Sequence, residues 1–168
     1  MSRLNRHGFT LIELLIVVVI LGILAAVVIP QFTNVSGDAR VSSLASNLQS
    51  LRGQIEFYKI QHSDLAPGYP AGGGAPIEAA FVAQMTQASD QVGATAAAGT
   101  AGFPFGPYIR QGVPLNPYNT LGTVEIVADG VALPAADNTH GWIYKPQTGE
   151  IKCDSPGTDS SGRALESY

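Results

Sequence analysis

A single cysteine, Cys153, in 168 residues excludes an internal disulfide, the device on which many small exported domains rely. Packing, neighbouring chains or a metal must supply that stability instead, and a lone cysteine is expected to be buried as a small apolar residue. Charge is also scarce. Charged residues make up 13% of the chain, with 13 Asp and Glu against nine Lys and Arg, so no basic surface for nucleic acid follows. There is no Gly-x-Ser-x-Gly, no His-Glu-x-x-His and no Cys/His cluster at metal-ligand spacing, which removes the usual hydrolase and zinc signatures. Setting aside His7, only His62 and His140 remain, each expected to make a surface or loop hydrogen bond rather than to act in catalysis. The 19 glycines and 11 prolines suit a loop-rich exported domain better than a helical enzyme.

Against this background one long apolar run stands out. From Phe9 to Ile29 only Thr10 and Glu13 are polar, and at about 1.5 Å per helical residue the run matches the thickness of a bilayer core. Arg3 and Arg6 precede it with no acid, which places residues 1–8 in the cytoplasm and the bulk of the chain outside. Glu13 is the anomaly, because a carboxylate at the centre of a membrane helix costs about 2.5–3.5 kcal/mol and persists with a partner or a function. Cleavage between Gly8 and Phe9 would free a cationic amine one helical turn away, for Glu13 of the same chain or of a neighbouring copy. Such pairing in apolar surroundings selects a register.

Gly8, Phe9, Thr10, Leu11, Ile12 and Glu13, followed by an apolar helix continuing into Pro30, resemble the type IV pilin and type II secretion pseudopilin superfamily. The resemblance implies cleavage after Gly8 by a membrane-embedded prepilin peptidase and N-methylation of Phe9. It further implies a filament of this chain and other pilin-like subunits, added by an ATPase-driven platform, in which Glu13 neutralises the Phe9 amine of an adjacent subunit. Loosening of the helix between Gly22 and Pro30 is also implied; close packing at Gly22 and a boundary at Pro30 are compatible with it. A secretory signal peptide fits less well, since the apolar run continues past Ala25-Ala26-Val27. A plain signal anchor leaves Glu13 and the Gly8-Phe9 pair without a reason.

Pro30 is expected to interrupt the helix. Helix then resumes, because Val41, Leu44, Leu48, Leu51, Ile55 and Tyr58 recur at three- and four-residue spacings. Breakers from Gln61 to Pro67 end it. A second helix is predicted from Ile77 to about Ala88, then a flexible Gly/Ala/Thr loop from Val92 to Gly102. Residues 103–118 carry too many prolines for a central strand. There, Gly106-Pro107-Tyr108 is similar to a loop of major pseudopilins, while Pro114, Asn116, Pro117 and Tyr118 match its second element imperfectly. Strands are predicted at Thr123–Ala128, His140–Lys145 and Glu150–Cys153, the last two joined by Pro146-Gln147-Thr148-Gly149.

The predicted class is α+β. A long N-terminal helix, apolar in its transmembrane half and amphipathic in its second, packs on a small antiparallel sheet with long loops. The segments are a leader at 1–8, a filament-core helix at 9–30, an amphipathic half at 31–62 and an extracytoplasmic region at 63–168 with a loose tail. Asp154 and Asp159 offer oxygen ligands of the kind Ca²⁺ takes, in a run resembling loosely the calcium loop of major pseudopilins. The alternative is a solvated loop and no cofactor. The expected function is a structural one, a pseudopilin of a type II secretion system anchored in the bacterial inner membrane. The alternatives are a type IV pilus pilin serving adhesion, motility or DNA uptake, and an unprocessed anchored binding or enzymatic domain.

Overall fold

The computed structural model describes residues 9–168, and over 27–36 the backbone alone. The chain divides into two compact units at Asp38/Ala39. In the first, the backbone of α1 (Leu11–Gln61) begins and stays helical through Gly22, Pro30 and 34–37. The interruption expected at Pro30 is absent. Proline removes one hydrogen bond from the ladder, and the bonds around it carry the helix across. The unit boundary falls C-terminal to Pro30, shortly before Leu44, the first fully buried apolar residue of the core.

The second unit is built on the later turns of α1. Leu44, Leu48, Leu51, Ile55 and Tyr58 form its buried stripe, as their spacing predicts. They share a core with Phe81 and Met85 of α2 (Glu78–Thr86) and with Trp142, Tyr144, Ile151 and Cys153 of the sheet. Burying each such side chain contributes about 1.5–3 kcal/mol. Cys153 is buried as expected, and burial pushes its thiol pKa up.

Two sheets complete the unit. Residues 92–102, expected to be a flexible loop, contain β2 (Thr95–Ala96), which pairs antiparallel with β1 (Ala88–Ser89). The turn between them is held by Asp90, whose carboxylate accepts the N–H groups of Val92 and Ala94. The second sheet has the order β3 (Val124–Ile126), β4 (Trp142–Lys145), β5 (Glu150–Cys153). β4 and β5 form the predicted antiparallel hairpin, closed at Gly149 with φ 75°. β3, however, runs parallel to β4, so this sheet is mixed rather than antiparallel. The connection through 127–141 is a long crossover instead of a hairpin, and a long crossover can return the chain in its starting direction.

The proline-rich segment 103–118 is fixed by backbone bonds. Tyr108 and Ile109 both donate to the Met85 carbonyl, and Trp142 Nε1 donates to that of Pro114 at 2.8 Å. Gly106 has φ 72°, and a Cβ there would lie 2.6 Å from the Gln87 carbonyl oxygen, so only glycine fits. Asn116 is fully buried, donates to the Gly141 carbonyl and the Ser155 hydroxyl, and accepts the Tyr118 N–H. It ties the loop to the end of β5.

The C-terminal run from Asp154 to Tyr168 is ordered where a loose tail is expected. It ends in a short 3-10 turn, Leu165–Ser167, that buries Leu165. Its sequence is polar because its order comes from hydrogen bonds rather than from an apolar face.

Candidate assembly site

The start of α1 is organised by two side chains. Thr10 precedes the first helical residue. The Glu13 carboxylate accepts the Thr10 N–H at 2.8 Å and its hydroxyl at 2.7 Å, while the Glu13 N–H points back to the Thr10 hydroxyl at 3.3 Å. This is a capping box, in which a Thr and a Glu three residues on satisfy helix-start donors reciprocally. Within one chain, then, Glu13 caps its own helix. The Thr-x-x-Glu spacing is the signal for it.

From Leu11 to Ala26, α1 carries no polar side chain but Glu13, and the exposed fractions of its large apolar side chains there run from 46% at Val17 to 84% at Leu11. A Cβ at Gly22 would meet nothing within 4 Å. A helix that is hydrophobic all round belongs inside something, either a membrane or a bundle of other helices. Among the described residues no helix is long and apolar enough to cross a membrane; the described apolar side chains of this part end at Ala26. Arg3, Arg6, His7 and Gly8 lie outside the described residues, as does the Pro30 side chain. Phe9 is exposed.

The remaining candidates lie in the second unit. His62 is not on the surface. Just past α1, four residues from Tyr58, it faces inward and stacks on the Tyr58 ring at 3.7 Å. Its Nδ1 meets the Tyr58 carbonyl at 2.8 Å and its Nε2 the Ser89 hydroxyl at 3.0 Å. Because a carbonyl only accepts, Nδ1 carries the proton. A Ser–His contact of this kind could activate a nucleophile, yet Ser89 and His62 are 0% and 1% exposed and no substrate reaches them. His140 is a loop residue whose Nδ1 contacts the Thr139 hydroxyl.

Asp154 and Asp159 are each engaged by a separate set of hydrogen-bond donors. Asp154 is fully buried, and one of its oxygens accepts the N–H groups of Asp137 and Asn138 at 2.6 and 3.1 Å. The other accepts that of His140 at 2.7 Å. Asp159 accepts the N–H groups of Ser161 and Arg163, at 2.8 and 2.9 Å, and the Ser161 hydroxyl on one oxygen. The Tyr168 hydroxyl donates to the other. These bonds, that from Tyr168 foremost, hold the Asp159 carboxyl well below the usual carboxylate range. The donors turn the positive ends of their dipoles toward both carboxylates, which does not fit Ca²⁺. Among the described residues no group of three or more His, Cys, Asp or Glu side chains is placed to hold a metal ion.

Comparison with known proteins bears on the N-terminal site. Residues 3–29 match the family described as the prokaryotic N-terminal methylation motif. The chain is 40% identical over 62 residues to the type II secretion system core protein G of Pseudomonas aeruginosa, covering 37% of this chain and 44% of that protein. The N-terminal region thus carries the methylation motif and is similar to that of type IV pilins and type II secretion pseudopilins. The chain is also 36% identical over 90 residues to the type IV major pilin protein PilE1 of Neisseria gonorrhoeae, covering 52% of this chain and 42% of that one. To the type IV major fimbrial protein FimA of Dichelobacter nodosus it is 53% identical over 51 residues, covering 30% and 33%. The chain thus spans less than half the length of each of these relatives. No solved structure matches. Pilins and pseudopilins are structural subunits rather than enzymes.

Proposed function

We propose that this chain is a pseudopilin of a type II secretion system, cut after Gly8, N-methylated at Phe9 and assembled through α1 into an inner-membrane-anchored filament. The observation that carries this is the Thr10–Glu13 pair at the head of a helix whose apolar side chains from Leu11 to Ala26 are all exposed. Before assembly that surface lies in the membrane, with residues 1–8 on the cytoplasmic side and the second unit on the periplasmic side. On assembly, helices of other copies and of other pilin-like subunits replace lipid, and the Phe9 amine of a neighbour takes the Glu13 carboxylate. Gly22 and Pro30 mark the stretch where the helix loosens in the fibre. The prepilin peptidase, the assembly platform and its ATPase are the partners this requires.

Secretion is favoured over a pilus by two features of the second unit. Cys153 is buried and single, so no disulfide closes the C-terminal loop, and the Gly106-Pro107-Tyr108 segment is built into the core through the Met85 carbonyl. Deleting the gene in its native host is the test. The expected result is loss of extracellular enzymes, which accumulate in the periplasm, with surface motility and DNA uptake unchanged. Loss of motility or DNA uptake with normal secretion would instead assign the chain to a type IV pilus.

A further inference from the structure

The outer edge of β5 needs a cover. Trp142 N–H and Tyr144 C=O point toward the β3 side of β4. Their partners in the register, Cys153 and Ile151, therefore turn their own backbone groups away from β4. An open edge of this kind is a template for pairing with another chain. Here Arg52 of α1 donates to the Ile151 carbonyl at 3.0 Å and to the Tyr168 carbonyl at 2.7 Å, joining the edge to the C-terminal run. Lys152 binds Glu166 at 2.9 Å, and Arg163 lies over the Tyr168 ring at 3.9 Å. Two buried or half-buried carboxylates, Asp154 and Asp159, hold the run in this path by gathering N–H and O–H donors, as described above.

We propose that residues 154–168 are a metal-free latch, in which carboxylates binding backbone N–H groups do the work of a bound calcium ion and keep the edge of β5 closed. The latch belongs to the folded second unit whether or not the chain assembles, so its failure and that of the filament reading are separate outcomes.

The full chain, purified in detergent, supplies the test. Its thermal midpoint is expected to agree within about 1 °C in millimolar Ca²⁺ and in EGTA, while Asp154→Asn, which sets an amide NH₂ against either the His140 N–H or the Asp137 and Asn138 N–H groups, lowers it by about 5 °C or more. Tyr168→Phe and Asp159→Asn are expected to speed hydrogen exchange of the Ile151 amide roughly tenfold or more while leaving the Leu48 and Leu51 amides protected. A midpoint raised by about 5 °C in Ca²⁺, or stoichiometric Tb³⁺ binding, would overturn the metal-free assignment. Unchanged Ile151 exchange in both Tyr168→Phe and Asp159→Asn would overturn the latch. Should Asp154→Asn fail to fold, the calcium comparison and the Tyr168→Phe exchange still decide.

Discussion

Glu13→Val is expected to leave the chain in the membrane and to lower its entry into filaments by about tenfold or more. Glu13 lies in the first turn of α1, so removing its carboxylate removes only part of the cost of about 2.5–3.5 kcal/mol that a charge bears at a membrane-helix centre, and membrane retention should not fall. What assembly loses is the group that compensates a neighbour's Phe9 amine once helices of other copies exclude water. The capping box complicates this substitution, because Glu13 also satisfies the Thr10 N–H and hydroxyl, and losing such a cap costs about 0.5–2 kcal/mol on its own. Glu13→Gln separates the two roles. A glutamine oxygen still accepts from Thr10 and completes the box, but it carries no charge. Loss of filaments in both variants, measured by shearing and by crosslinking in membranes, assigns assembly to the charge. Normal filaments with Glu13→Gln would make Glu13 a helix cap and nothing more.

Trp142→Ala is the substitution with the largest expected effect on the second unit. Trp142 is fully buried on β4, opposite Cys153 in the register. Its indole N–H is the side-chain bond that fixes the Pro114 carbonyl and hence the proline-rich segment. A large-to-small change at such a site costs about 3–5 kcal/mol, and the orphaned carbonyl adds about 1 kcal/mol or more. Against a total stability of about 5–15 kcal/mol, this removes a large part of the margin. Thermal unfolding of the full chain in detergent should show a midpoint lower by roughly 10 °C or more. A loss under about 1 kcal/mol would contradict the place of Trp142 at the centre of the core.

Much of this architecture can be read from residue spacing. Leu44, Leu48, Leu51, Ile55 and Tyr58 announce the buried face of α1 because a helix repeats every 3.6 residues. Trp142 and Tyr144 announce β4 because a strand repeats every two. Pro146 and Gly149 mark the hairpin turn through their own backbone preferences. The parallel pairing of β3 with β4 is different, since strand direction is decided by the path of 127–141, a segment with no periodicity. The order of residues 154–168 is hidden for another reason. Asp154 and Asp159 act on main-chain N–H groups, which every residue but proline carries and which leave no mark in the sequence. Asn116 is hidden in the same way. The Thr10-x-x-Glu13 box, in contrast, is plain in the sequence. It is masked only when Glu13 is weighed as a charge in lipid and not also as the third residue of a helix.

The central claim is that cleavage creates a positive chain end for the Glu13 carboxylate to meet in an assembled fibre. Mass spectrometry of the N-terminal peptide, from the native chain in membrane and sheared-filament fractions, tests it most directly. The account predicts that the chain begins at an N-methylated Phe9. Native protein recovered with residues 1–8 still attached would contradict it.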